Sequence, residues 1–190
     1  MGLSVRRVRE DEWELVRSLR LESTADPDAA IAFLESHDEV AARTEEYWRG
    51  RTETVATSEI AAQFVVEADD EPVGSLSVLV RATGQSDDSG KIVDDRRAFV
   101  VGVWVRPSQR GTGAVDLLLA AAAAWTASLG LDQVYLDVHR DNHRAQGAYR
   151  RVGFEPTGET LTGAIGPEIV MARQLPTPGS DAPGAADIVR

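Results

Sequence analysis

The chain has 190 residues, 43% of them apolar, with 31 acidic against 20 basic side chains and a formal net charge of −11; this is the composition of a soluble globular domain with a real core. Cysteine is absent, which excludes disulfides, thiol catalysis and cysteine-based zinc sites, and His37, His139 and His143 are too few and too scattered for a typical metal site. The acidic balance argues against DNA or RNA as the main partner, because phosphate binding needs a basic face, and favours a cationic or amine-bearing partner through steering.

No apolar run reaches membrane-spanning length, and the N-terminus lacks a signal-peptide core. The expectation is therefore a cytoplasmic protein without a membrane partner. A homodimer is compatible with the chain.

In chain order, Leu3 to Val8 reads as a strand and "EDEWELVRSLRLES" as a helix. Asp11 and Glu14 have the spacing of an N-terminal capping pair, and Leu15, Val16 and Leu19 form its apolar stripe. Asp26-Pro27-Asp28 breaks it. A second helix is expected over roughly Ser36 to Arg51, with Val40, Thr44, Tyr47 and Trp48 on helical spacing. Ala61 to Ala68 and Gly74 to Arg81 make a hairpin. Ala82 to Arg97 is a polar loop. Phe99 to Val105, apolar on both faces, is expected to be a central buried strand.

A glycine-spaced loop follows, then a helix to Leu129 closed by Gly130, with Leu117, Ala121, Trp125 and Leu129 expected to face the sheet. Val134 to Val138 is a strand. "NHRAQGAYRRVGF" is a short helix closed by Gly153, and "FEPTGETL" and "EIVMARQL" are closing strands. Residues 1–175 thus form one domain. Pro176 to Arg190, rich in Pro, Gly, Ala and Asp, is a tail that cannot form a core. The order β-α-α-β-β-β-α-β-α-β-β implies a mixed sheet with helices on both faces.

The loop "RGTGAVD", Arg110 to Asp116, sits where a strand becomes a helix. Bare backbone there suits an anion, held by N–H groups and the positive end of the helix dipole. It is not a P-loop, since no Gly-Lys-Ser/Thr triplet occurs. It is not a dinucleotide fingerprint either, since a third glycine is missing and the loop follows the fourth strand. By itself the loop is equally well a tight turn with glycines chosen for backbone angle.

Its context adds more. Arg110 and Gly113, with Gly111 between them, and then Asn142, Ala145, Tyr149, Gly153 and Phe154 at matching spacing resemble the GNAT superfamily of N-acetyltransferases. Val115 departs from that pattern, where the family has Gly or Ala. The resemblance implies an α/β (α+β) fold with a mixed, mostly antiparallel sheet of about seven strands, splayed between the fourth and fifth. It also implies acetyl-CoA as acetyl donor, with its pyrophosphate on the backbone of Gly111, Thr112, Gly113, Ala114, Val115 and Asp116 and with Arg110 adding charge. Val103, Trp104 and Val105 would present the strand edge that pairs with the pantetheine arm, and a backbone N–H there would stabilise the oxyanion. Gly102 fits a bulge or a close approach.

Direct attack by a primary amine needs a base, and expulsion of the thiolate needs an acid. Tyr149 matches the family's acid position, although Ala145, Ala148, Tyr149 and Val152 also read as an apolar helical stripe. Asn142 caps the helix and, by the resemblance, also binds the cofactor or an ordered water. Asp137, five residues before Asn142, stands where some members carry a glutamate base. It alternates opposite Leu136 and Val138, and a salt bridge to Arg140 or Arg151 is its other reading. Glu67 and the acids of residues 84–95 are further candidates for the base. His139 and His143 read as surface histidines. A non-catalytic acyl-CoA-binding sensor is the alternative to an enzyme. The acceptor walls, at about residues 22–51, 82–97 and 157–168, carry no legible motif.

Overall fold

The computed structural model describes residues 2–86, 90–163 and 165–176; of the expected tail, all but Pro176 lies outside them. The strands are β1 (Leu3–Arg7), β2 (Ala61–Ala68), β3 (Glu71–Arg81), β4 (Arg97–Val105), β5 (Gln133–His139), β6 (Glu155–Gly163) and β7 (Gly166–Gln174). The helices are α1 (Trp13–Thr24), α2 (His37–Ala41), α3 (Glu45–Thr57), α4 (Ala114–Ser128) and α5 (His143–Arg151). One seven-stranded sheet runs in the order β1-β2-β3-β4-β5-β7-β6. Every neighbouring pair is antiparallel except β4 and β5. This is the expected mixed sheet.

Strand alternation divides the molecule into two layers. Phe64, Val66, Leu76, Val78, Val100, Leu136 and Val138 pack on one face with Leu118, Leu119, Ala122 and Ala123 of α4 and with Tyr149 of α5. Val65 and Trp104 point to the opposite face and pack with Val16 and Leu19 of α1, Val40 of α2 and Trp48 and Val55 of α3. The buried face of α4 is therefore Ala114, Leu118, Leu119, Ala122, Ala123 and Thr126. The Leu117, Ala121, Trp125 and Leu129 stripe expected to face the sheet lies one residue round the helix and is only half-buried. An alanine-rich helix is apolar all round, so its sequence period does not single out one face.

Two further expectations at helix ends are corrected. The helix expected over residues 36–51 is two helices. Ser36 and Glu39 form a capping box for α2, and Thr44 caps α3 by accepting the Tyr47 N–H at 3.3 Å. A threonine that can satisfy an orphan N–H does better as a cap than as a mid-helix residue. The Asp11–Glu14 capping pair does not form: α1 begins at Trp13 with no side-chain cap. Glu12 instead takes Arg6 on two bonds of 2.7 and 2.8 Å and the Arg9 N–H at 2.8 Å, which ties α1 to β1.

β4 is the strand on which the site depends. Its pairing with β3 shifts register between Ser75 and Ser77, so β4 carries an extra residue there. Gly102 takes up that bulge at φ +64, a conformation L side chains rarely adopt. Beyond the bulge, Gly74 of β3 lies so close to β4 that a Cβ on it would stand 2.6 Å from the Trp104 carbonyl oxygen and 2.8 Å from Val105 Cγ2. Gly74→Ala is therefore expected to destabilise the fold by about 1–3 kcal/mol, the usual cost of overpacking, measured by denaturant unfolding. A variant as stable as the parent would show that β3 and β4 part freely at this end.

Candidate active site

β4 pairs with β5 only through Ala98 with Val134 and Phe99 with Tyr135. After Phe99 the strands part, and the β5-facing edge of β4 from Val101 onward has no ladder partner. A cleft of about 1090 Å³ opens there. It runs from the glycine loop past Gly102, Val103, Trp104 and Val105 to a floor on β5 and β7, and is roofed by α1, the segment after it, and α3.

At one end, a single 3-10 turn, Pro107–Gln109, leads from β4 into the loop. Gly113 is the N-cap of α4, left-handed at φ +95, and offers no side-chain cap. A Cβ on Gly111 or Gly113 would meet nothing within 4 Å. These glycines therefore serve backbone angle and access, not packing. The first-turn N–H groups of α4 face the cleft mouth without a competing side chain, the arrangement that binds a phosphate.

The other expected loop residues divide. Thr112 donates to the Gln109 carbonyl at 2.8 Å and stabilises the turn. Ala114 is buried in the core. Val115 packs against that core while lining the cleft. Asp116 also lines the cleft, but its carboxylate is held by Arg151 of α5 at 2.8 Å, which neutralises the repulsion it would offer an anion.

Arg110 lines the cleft while bonded to its wall. Its Nε donates to the Val105 carbonyl at 3.2 Å, and its Nη2 pairs with Asp26. Asp26, whose side chain is 3% exposed, also accepts Trp104 Nε1 at 3.0 Å and the Asp28 N–H at 3.0 Å. Burial raises its pKa, but these bonds and the Arg110 charge outweigh that and hold the carboxyl below the ordinary aspartate range. Arg110 and Trp104 thus act as fasteners between the loop after α1 and the end of β4.

α5 carries the second half of the motif. Asn142 Oδ1 accepts the Ala145 N–H at 3.1 Å, the expected cap. Gln146 Nε2 donates to the carbonyls of His139 and Arg140 at 3.2 and 2.7 Å and fixes the helix against the end of β5. Tyr149, one turn on, is 8% exposed, packs against Phe154 and lines the cleft. Its hydroxyl has no hydrogen-bond partner among the described residues. Burial pushes its pKa up to about 12, so it stays protonated at working pH. Tyr149 thus belongs to the core, as its apolar stripe reads, and also lines the cleft.

The floor is polar. Asp137 faces the cleft from β5, on the side opposite Leu136 and Val138. His139 follows on the same face and is buried, not a surface histidine as its charge and position suggested. Its Nδ1 accepts the Asp141 N–H at 3.2 Å, which places the proton of the neutral ring on Nε2. Across the ladder, His139 pairs with Glu168 of β7. Burial holds the Glu168 carboxyl above the ordinary glutamate range, and His139 beside it pulls the other way. A Cβ on Gly163 would stand 2.4 Å from Glu168 Oε2, and one on Gly166 would stand 2.9 Å from His139 Nε2, so both glycines clear space for this pair.

Glu168, Asp26, Arg20, Arg51 and Gln63 also line the cleft and were not picked out individually from the sequence. Only the register between distant strands and helices brings them together.

The geometry fits acetyl-CoA on two observations: an unpaired strand edge in the parting and an uncapped helix N-terminus at its mouth. Comparisons with known proteins agree. The model of the acetyltransferase (GNAT) family matches residues 28–154. An aminoglycoside N(6')-acetyltransferase type 1 of Stenotrophomonas maltophilia is 32% identical over 106 residues, 56% of this chain and 67% of that protein. Among solved structures, a GNAT-family acetyltransferase from Streptococcus pneumoniae superposes with a TM-score of 0.69 at 19% identity, over 92% of this chain and 100% of its own. A phosphinothricin acetyltransferase from Sinorhizobium meliloti, in complex with acetyl-CoA, gives 0.67 at 16% identity, over 92% and 89%. At these identities the structural likeness is one of fold. The family match, on the chain that carries both halves of the motif, completes the argument: this chain belongs to the acetyltransferase (GNAT) family, as an acetyl-CoA-dependent N-acetyltransferase.

Proposed function

We propose that the enzyme moves the acetyl group directly from acetyl-CoA to a primary amine while both are bound. The observation that carries this reading is Tyr149, a buried side chain that stays protonated, whose hydroxyl has no hydrogen-bond partner among the described residues, and which lines the same cleft as the glycine loop and the β4 edge. Without cysteine, a cysteinyl acyl-enzyme is ruled out.

In this reading the N–H groups of Gly111 to Asp116 hold the pyrophosphate, and Val103 to Val105 hold the pantetheine arm as an added strand would. A β4 N–H in the parting steadies the oxyanion. Asn142, besides capping α5, orders the cofactor or a water. The amine nitrogen forms the new C–N bond and passes its proton to a carboxylate of the floor. As the C–S bond breaks, the thiolate takes the Tyr149 proton. Of the two floor carboxylates, Asp137 is the base indicated by motif position, and Glu168 is the one whose burial tunes it toward neutral pH. The named relative acts on aminoglycosides, which belong in any acceptor screen.

Three outcomes test this. Gly113→Asp places a carboxylate at the phosphate site and is expected to abolish acetyl-CoA binding in a folded protein, read by calorimetry. Unchanged affinity would remove the loop from the cofactor site. Tyr149→Phe keeps the ring packing, so melting temperature and cofactor affinity should hold while turnover at saturating acetyl-CoA falls roughly 10²- to 10⁴-fold. A fully active phenylalanine variant would take Tyr149 out of the reaction. If Glu168 is the base, activity needs its deprotonated form, and its raised pKa moves the acid limb of the pH–kcat/KM profile above the ordinary glutamate range. Glu168→Gln should then remove that limb and Asp137→Asn should leave it in place; the reverse pattern assigns the base to Asp137.

A further inference from the structure

We infer that the acceptor amine carries a carboxylate, seated between the guanidinium groups of Arg20 and Arg51 at the α1–α3 end of the cleft. The inference rests on the transfer reaction proposed above and supplies its substrate class.

Both arginines line the cleft, Arg20 from α1 and Arg51 from α3. The Arg20 side chain is 19% exposed. Its guanidinium lies 4.7 Å over the Phe33 ring, and its Nη1 would be 3.8 Å from a Cβ on Gly102. It therefore reaches the bulge where β4 leaves its ladder. Burial holds its pKa below the ordinary arginine value, Glu35 pulls it back up, and the nearby Arg51 charge presses it down again.

The charges at this end do not balance. Glu35 is the carboxylate that Arg20 meets, at 3.1 Å, and it is shared with Arg43, also at 3.1 Å. Arg43 stands 4.8 Å over the Tyr47 ring. Arg51 has no carboxylate, hydrogen-bond or ring partner among the described residues. Glu35 is thus shared by Arg20 and Arg43, and Arg51, inside the cleft beside Arg20, is left without a carboxylate among the described residues. Arg51 is half-buried, and a partly desolvated cation beside a like charge gains from a ligand that brings an anion. The chain as a whole carries −11, so this local excess runs against the global field.

Of the cleft's acids, Asp26 is taken by Arg110 and Trp104, Asp28 by Arg144 at 2.5 Å, Asp116 by Arg151 and Glu35 by Arg20 and Arg43; Asp137 and Glu168 lie on the floor, where the base of the transfer belongs.

The sheet beneath supplies a second, independent sign of a polar ligand. Gln63 of β2 pairs in register with Ser77 of β3, and Gln63, Ser77 and Ser75 form a polar patch on an otherwise apolar buried face. Gln63 is 5% exposed, lines the cleft, and its side-chain carbonyl oxygen has no partner among the described residues. Buried polar atoms in folded proteins are satisfied, and this one asks for an N–H or O–H donor from the acceptor. A small molecule with a carboxylate at the arginine pair and its amine toward the parting of β4 and β5 meets each demand. A polycationic sugar or polyamine meets the guanidinium pair with like charge.

The test uses a panel of α-amino acids, β-alanine and γ-aminobutyrate, each beside its carboxamide, with kanamycin and spermidine as polycationic arms. Binding to the coenzyme A-loaded protein is read by calorimetry, and transfer by thiol release. At least one carboxylate acceptor is expected to exceed its amide by ~10- to 100-fold in affinity and kcat/KM, the worth of a charge-assisted contact. Arg51→Gln should erase most of that preference through KM, with coenzyme affinity unchanged, and Arg51→Glu should turn it toward the amide. Equal binding of acid and amide, failure of every carboxylate to bind, preference for a polycation, or an Arg51→Glu variant with the parent's preference would overturn the inference. Carboxylate-selective binding without transfer of acetyl to any acceptor would uphold the subsite and defeat the transferase reading instead.

Discussion

The separation of β4 from β5 after Phe99 is the constraint on which the rest of the molecule depends. A parallel pair of neighbouring strands would ordinarily continue as a ladder, with each N–H and C=O satisfied. Here β4 is turned away by the Gly102 bulge and held by close packing against β3 at Gly74. β5 meanwhile keeps full register with β7 from Gln133 to His139. One sheet thus contains a slot with an open backbone edge on one wall and polar side chains on the other. The helices complete it without filling it. α4 delivers its N-terminus to one mouth, and α5 stands Tyr149 along the wall. α1 and α3 roof the far side.

Electrostatics organise the slot into two halves. Near the loop, each acid is matched to a base, which leaves the backbone amides as the uncommitted positive groups. Toward α1 and α3 the matching fails, and guanidinium charge is left over. An acidic protein that leaves guanidinium charge over at one end of its cleft separates the requirement for solubility from the requirement for recognition.

Much of the architecture was legible in the sequence because strands and turns announce themselves locally. Gly130 and Gly153 marked helix ends, the β2–β3 hairpin followed from its turn, and the residues from Arg110 to Phe154 carried the motif. What escaped was whatever depended on distant register. The alanine-rich α4 concealed its buried face, since small apolar residues surround the helix. Thr44 looked like a stripe residue because a helical period takes no account of capping. His139 seemed to be a surface group, since nothing near it in sequence reveals that Gly166 and Glu168 lie across the ladder. Arg110 matched a motif position, yet its partner Asp26 is far away in the chain. The far end of the cleft was illegible for the same reason: Arg20, Arg51 and Gln63 come from three separate elements, and only the fold brings them to one cleft.

The Asp26 carboxylate, shared by Trp104 and Arg110, sets a boundary for redesign. It stitches the segment after α1 to the end of β4 and to the start of the glycine loop, so the loop end of the cleft borrows its shape from a residue of the opposite wall. Grafting a foreign acceptor wall would succeed only with a seam placed after Asp28, leaving the stitch intact. The stretch from the 3-10 turn at Ala29–Ile31 through α3 can therefore be exchanged with the stitch intact, while α1, and with it Arg20 of the cleft, stays in place.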